Sequence, residues 1–417
     1  MNRSMLVILI AVTMILTLTA SAQDKVVKIL GPFGTEEEAR FNDAIKGFEE
    51  ETGIDVQYES TREFETLINV RVEAGDAPDI AAVPQPGLMK RFAANDKLVE
   101  LWPEMIAKID ANYAPVWKDL GSYDGKVYGV FHRVNLKSLV WYPKEAFEMM
   151  EYQIPKTWDE LKALSDQMVG DGIVPWCIGI ESAAATGWPA TDWVEDIMLR
   201  TAGPDVYDQW VNHDIPFNDP AVKNAVEIMS AIWLNPDYVL GGTTGIATTN
   251  FGDAPKPMFS DPPQCMLHRQ GNFITGFFPE DIQANLEAKV GVFGLPEIDP
   301  QWGTPALGGG DQYVVFNDRP EVRQFMEFLT TWASAESWAE AGGALFPHKD
   351  QNLDAYLDAL AKAQAELLLN AKVFRFDASD LMPAEVGAGS FWSGMVDLVN
   401  GKSVDDVLNA IEASWPK

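Results

Sequence analysis

VVKILGPFGTEEEARFNDAIKGFEEETGIDVQY, running from Val26 to Tyr58, decides the fold. Val26 to Leu30 is a short apolar run of the kind that forms a buried strand. Between Glu36 and Glu51, Phe41, Ala44, Ile45 and Phe48 recur at i, i+3, i+4 and i+7, which puts them on one helical face. Thr52-Gly53 stops that helix, and Ile54, Val56 and Tyr58 then alternate as a half-buried strand does. The rhythm continues outward. Phe64, Leu67, Ile68 and Val72 mark a helix over 64–74, and Ile80 to Val83 is again a short strand. Strand, helix, strand, helix, strand predicts an α/β domain with a largely parallel sheet.

Further along, helix starts carry their own signals. Thr157 with Glu160 forms a capping box ahead of Leu161, Leu164 and Met168. Asp219-Pro220 opens a helix burying Val222, Val226, Met229 and Trp233. Asp318-Arg319-Pro320 opens one burying Val322, Phe325, Met326 and Leu329, and Ser403 caps a last helix ending near Ala413. No repeat, low-complexity tract or Pro/Ser linker separates these elements. Two domains without a linker imply a chain that passes between them more than once.

Working back to the start, residues 1–22 form a leader. Arg3 precedes an apolar run from Met5 to Leu18, and Ala20-Ser21-Ala22 supplies the small-x-small cleavage pattern. The run is shorter than the ~20 residues that cross a bilayer. No cysteine follows it for a lipid anchor. The mature chain is therefore expected in the periplasm, cleaved near Ala22, where neither ATP nor NAD is supplied. That sets aside kinases, dehydrogenases and ligases. Cleavage leaves 395 of the 417 residues, enough for two or three domains of roughly 150 residues each. It removes one of 31 basic residues and none of the 62 acidic ones, so the net charge becomes −32. Such a surface repels nucleic acid, anionic lipid and phosphate-rich ligands.

Catalytic signatures are missing. His132, His213, His268 and His348 are scattered, and HExxH, GxSxG, Walker A and GxGxxG patterns do not occur. Asp377 and Asp380 in FDASD could suggest calcium, but EF-hand spacing is absent, and no metal or cofactor is expected. Cys177 and Cys265, in an oxidising compartment, are expected to form a disulfide, the alternative being two buried thiols.

Binding chemistry is better represented. Gly31-Pro32-Phe33-Gly34, Gly187 to Trp193, Leu307 to Asp311 and Gly389 to Trp392 each combine aromatic, small or acidic residues in expected loops. Aromatic rings suit the C–H faces of a sugar, and carboxylates, amides and arginines suit its hydroxyls.

With those segments in view, the chain resembles the carbohydrate-binding components of ABC importers, of the maltose-binding type. FEEETGIDVQY (Phe48 to Tyr58), EAGDAPDIA (Glu73 to Ala81), DGKVYGVFHRVNLKSLVWYPKEAF (Asp124 to Phe147), PKTWDEL (Pro155 to Leu161) and FWSGMVDLVNGKSVDDVLNAI (Phe391 to Ile411) carry the likeness in order. GWPATDWVED, FRFDASDLMP and GGGDQYVVF are similar to the branch that binds α-glucosides. The resemblance implies two α/β lobes joined by three crossings, with a ligand cleft between them. It places 23–131 and 266–316 in the N-terminal lobe, and 132–265 and 317–417 in the C-terminal lobe.

Residue by residue, it implies a stacking role for Trp392. Phe273 stands where the family often has tryptophan. Arg133 and Asn135 fall at the first crossing, and Asp311 follows the glycines near the third. Trp188 and Asp192 belong to a cleft-facing loop, and Phe33 lies in the loop after the first strand. Gln270 and Arg375 complete the set, a structural salt bridge being the alternative for Arg375. The expected function is capture of an α-glucoside such as trehalose, maltose or sucrose by a monomeric protein. Delivery to the transmembrane permease subunits would follow. The alternatives are a different ligand on the same fold (a glycoside compatible solute, a pentose oligomer or a non-sugar) and, from another class, a secreted glycoside hydrolase.

Overall fold

A computed structural model describes residues 25–370 and 373–416; the expected leader lies outside them. Strands β1 (Val26–Gly31), β2 (Asp55–Ser60) and β3 (Ile80–Val83) run parallel to one another in the first sheet. A small hairpin of β4 (Ser122–Tyr123) and β5 (Lys126–Val127) precedes β6 (Gly129–Leu136). A second sheet contains β7 (Leu139–Pro143), β8 (Val174–Trp176), β9 (Cys265–Arg269) and β10 (Val290–Gly294), in the order β10-β7-β9-β8. Finally β11 (Ala306–Val315) and β12 (Phe374–Phe376) join the first sheet, whose order is β12-β11-β3-β1-β2 with β6 also paired to β11.

The opening stretch folds as its spacing dictates. The helix Thr35–Thr52 buries Phe41, Ala44, Ile45 and Phe48. These pack with Val27 and Ile29 of β1 and with Val322 and Phe325 of the helix Pro320–Leu329. Leu30 points the other way, into a cluster with Phe64, Ile68, Val72 and Val83. Helices thus cover both faces of the first sheet, the condition under which parallel strands are stable. The second sheet has its own core. There Val140, Trp176 and Leu267 meet the helices Trp158–Gly170, Trp188–Thr201, Pro220–Trp233 and Val404–Ala413. Thr157, Asp219 and Ser403 cap their helices through their side chains. A disulfide joins Cys177 to Cys265, Cα atoms 5.6 Å apart, and ties the end of β8 to the start of β9.

Between the sheets the chain takes a path that differs from the expected division. It leaves the first sheet after Leu136, returns along β11 and leaves again after Phe376. Residues 266–294, expected in the first lobe, instead supply β9 and β10 to the second sheet, because both hydrogen-bond with β7. Residues 320–341, expected in the second lobe, pack on the first, Trp338 lying edge-on to Phe33 and Phe41. The break points were misplaced because β6 and β11 are continuous strands, buried throughout, with nothing local to mark a change of lobe.

Three expected loops are regular structure. Gly308-Gly309-Gly310 lies inside β11, where a Cβ at Gly308 would sit 2.3 Å from the Phe374 ring and one at Gly310 would sit 2.7 Å from the Arg133 carbonyl. The glycines are a packing requirement of a crowded central strand. Trp188 opens the helix Trp188–Thr201, and Trp392 opens Trp392–Val399.

Candidate functional site

A cavity of about 560 Å³ lies between the lobes, at the carboxyl ends of β1, β2 and β3. That is where open α/β sheets hold their ligands, and the volume suits a small molecule. Its first-lobe wall comes from strand ends. Pro32 and Gly34 follow β1, Thr61 and Arg62 follow β2, and Pro84 and Gln85 follow β3. Glu65, from the first turn of the helix Phe64–Ala74, accepts a hydrogen bond from Gln85 Nε2 at 3.0 Å.

The floor is built by β6 and β11. Arg133 and Asn135, together with Lys137 just past the end of β6, share one face by the two-residue period of a strand; Val134 and Leu136 go to the core. Arg133 donates from Nε to Asp311 Oδ2 at 2.8 Å and pairs through Nη1 with Glu37. Its guanidinium lies 4.5 Å from the centroid of the Phe33 ring. Phe33 is only 1% exposed and stacks on Tyr58 at 5.1 Å. It does not line the cavity as expected, because Arg133 covers it; Phe33 holds the arginine from below.

Aromatic rings make the second-lobe wall: Trp188, Phe251, Phe273, Phe277 and Trp392. Trp188 sits 5.1 Å from Phe251 and 5.9 Å from Phe273. Gly187, at φ 113°, brings the two tryptophans together, since a Cβ there would lie 2.2 Å from the Trp392 carbonyl oxygen. Trp392 is 3% exposed and donates from Nε1 to Ser379 Oγ at 3.4 Å.

Behind this wall lies a buried charge network. Lys137 Nζ donates to Asp192 Oδ1 at 2.9 Å and to Asp377, and it lies 5.3 Å from the Trp188 ring. Burial opposes the lysine's charge, but Asp192, Asp380 and Glu195 outweigh it and hold the ammonium above its usual pKa. Burial pushes Glu195 up to about 7, with Asp192 adding to the rise and Lys137 opposing it. Asp311 is likewise raised by burial, against the pull of Arg133. Asp192, Glu195 and Asp377 approach one another as three cation ligands would. Lys137 supplies positive charge there, pairing with Asp192 and with Asp377 of FDASD.

The remaining expected residues divide as follows. Trp392, Trp188, Phe273, Arg133, Asn135 and Asp311 are brought together around the cavity. Asp192 is fully buried behind it, held by Lys137. Gln270 is structural: its carbonyl accepts Trp141 Nε1 at 2.8 Å and its side chain accepts Gly271 N–H. Arg375 points away and makes a two-pronged salt bridge with Asp208 at 2.6 and 2.7 Å. Sequence reasoning missed Lys137, although its alternation with Arg133 and Asn135 was visible. It also missed Arg62 and Gln85, which the strand-end rule could have found. Asn250 carries no local signal, and the FDASD pattern pointed Asp380 towards calcium instead.

Chemically, the cavity is a sink for hydrogen-bond donors. Arg62 pairs with Glu181, Arg133 with Glu37 and Asp311, and Lys137 with Asp192 and Asp377, so each lining cation is already neutralised. The buried lining side-chain atoms without a partner, among the described residues, are Gln85 Oε1, Asn135 Oδ1 and Asp377 Oδ1. All are acceptors.

A family model described as bacterial extracellular solute-binding protein matches residues 34–336. The chain is 48% identical over 397 residues to the osmoprotective compounds-binding protein GgtB of Synechocystis sp., covering 94% of this chain and 93% of that one. It is 44% identical over 394 residues to the alpha-glucosides-binding periplasmic protein AglE of Rhizobium meliloti, covering 93% and 86%. Its fold matches the solved structure of the bacterial solute receptor AcbH with a TM-score of 0.81 at 19% identity, over 93% of this chain and 97% of that one.

Proposed function

This chain belongs to the bacterial extracellular solute-binding proteins, and we propose that it captures a neutral glycoside, an α-glucoside of the trehalose, maltose or sucrose type, in the cleft between its lobes. It is a solute receptor of an ABC importer that delivers a small ligand to the permease, and not an enzyme. The observation that supports the ligand reading is the pairing of an aromatic wall with buried, unpartnered lining atoms that are all acceptors. A sugar presents C–H faces to the rings and several hydroxyl donors to the carboxylates and amides. Anionic solutes find no free cation, and betaine-type solutes have no donor to offer.

GgtB and AglE are named for osmoprotective compounds and for α-glucosides. A glycosidic compatible solute would satisfy both names and the same acceptor-rich cleft, and it is the second reading. On either, the ligand touches both lobes and so stabilises the closed state over the open one. The mature protein works in the periplasm as a monomer.

Calorimetric titration of ligand-stripped protein against trehalose, maltose, sucrose, glycosylated polyols and glycine betaine tests this. Binding of a neutral glycoside, with a smaller radius of gyration in solution scattering, is expected. Binding of betaine with no response to any glycoside would overturn it.

A further inference from the structure

Asp380 helps hold the Lys137 charge through space, but no side chain of the network bonds to it. Its side chain lines the cavity, is 7% exposed and has no hydrogen bond or ion pair among the described residues. It sits on the short helix Ala378–Leu381, whose Ala378 packs in the second-lobe core. From the first lobe, Glu65 lines the same cavity, its Oε1 engaged by Gln85. The two lobes meet closely beside this pair. A Cβ at Gly87 would lie 1.9 Å from the Met382 carbonyl oxygen and 3.1 Å from that of Asp380. Gln85 Oε1 and Asp377 Oδ1, both on buried side chains that line the cavity, are unpartnered acceptors, one from each lobe.

Such an arrangement is costly while empty. Burial raises the Asp380 carboxyl well above its ordinary value; Lys137 opposes the rise, and Glu195, Asp192 and Glu65 add to it. Glu65 is raised by burial in the same way. Carboxyls that line one closed cavity from opposite lobes need donors between them before the lobes can rest closed.

We propose that Asp380 and Glu65 form a two-sided acceptor clamp, one carboxyl from each lobe, that selects the solute by hydroxyl groups donating to both. The inference rests on the reading of the ligand as a neutral glycoside and names the residues that enforce it. Trp392 and its neighbouring rings tolerate any flat apolar face, whereas a buried acceptor left unpaired rejects a ligand that lacks the matching hydroxyl. The clamp also couples selection to closure, because the two carboxyls approach only as the lobes do.

Three proteins test it: wild type, Asp380→Asn and Glu65→Gln, each first checked for cooperative melting. The best binder among trehalose, maltose, sucrose and glycosylated polyols is titrated into each, followed by its monodeoxy analogues and, separately, calcium chloride. At least one deoxy analogue should bind the wild type about tenfold more weakly than the parent sugar, the scale of a hydrogen bond to a charged group. The same analogue should show no such loss in Asp380→Asn or Glu65→Gln. Equal deoxy losses in all three proteins would overturn the clamp while leaving the glycoside reading intact. If the wild type binds none of these glycosides, the glycoside reading fails and the clamp with it. Calcium binding that disappears in Asp380→Asn would make the pair a cation site and also overturn the proposal. Should one variant not fold, the other carries the same comparison.

Discussion

The two walls of the cleft are built from different chemistry. The first-lobe wall, at the ends of β1, β2 and β3, offers Arg62, Glu65 and Gln85. The second-lobe wall offers Trp188, Phe251, Phe273, Phe277 and Trp392. Loops at strand ends are short and solvent-facing, and polar side chains there cost the fold little. The rings project from helix starts and turns beside a large apolar core, so they are stiff and already half covered. One wall supplies direction and the other supplies area. The comparison predicts that changes on the aromatic side reduce affinity for every ligand, while changes on the polar side alter which ligand is held.

The largest expected effect concerns what supports the aromatic wall. The Cys177–Cys265 bridge closes a span of 88 residues within the second lobe, and opening a loop of that size costs on the order of 4 kcal/mol of folding free energy. A Cys177→Ser, Cys265→Ser variant should melt well below the wild type, with amide exchange rising first in β8 and β9. Equal exchange in both lobes would erase the asymmetry.

Next comes Trp392→Ala. Removing the platform should weaken sugar binding by roughly 2–4 kcal/mol, as for a central aromatic anchor. The matched control is Trp193→Ala. Trp193 is 2% exposed and packs on Trp176 and Trp233 at 5.1 and 5.8 Å. That change should cost about 3–5 kcal/mol of stability. Calorimetry and melting on both variants separate wall from core; if Trp392→Ala loses stability but keeps affinity, it is a packing residue.

Asp311→Asn, on the floor between the walls, should cost about 1–3 kcal/mol of binding. Arg133 keeps Glu37 as a partner, so the fold should survive. The smallest effect lies behind the aromatic wall. Glu195 holds its proton up to about pH 7 when folded but only to about 4.5 when unfolded. Its contribution to stability is therefore full below pH 4.5 and is lost as the pH rises towards 7. Glu195→Gln keeps the acceptor for Ser379 N–H. It should flatten that slope and raise stability at pH 8 by roughly 1–2 kcal/mol. An unchanged slope would place the proton elsewhere.

Much of the fold was legible from the sequence because amphipathic spacing reports burial directly. The faces over Thr35–Thr52, Pro220–Trp233 and Pro320–Leu329 match the buried residues. The site was harder to read. Trp392, Asp311 and Arg133, expected from their types and surroundings, reach the cavity lining. Phe33 and Asp192 carry the same types, yet each lies one layer behind the cavity, covered by Arg133 and Lys137 respectively. Composition shows which side chains could touch a sugar; which layer each occupies is set by packing between segments more than 50 residues apart. Asp380 stands out in FDASD only as a possible calcium ligand; its neighbourhood with Glu65, which arrives from the other lobe, is set by the fold.

The ion pair of Arg62 and Glu181 spans the mouth of the cleft at 2.9 Å, with the arginine side chain 63% exposed. Exposed pairs of this kind contribute about 0–1 kcal/mol, and dissolved salt screens them over roughly 10 Å or less. The pair is therefore a clasp rather than a lock. A solute's dwell time should then depend more on what it touches inside than on this rim contact. In brine the clasp loosens further, and the exchange of solute should quicken without any change in what is recognised.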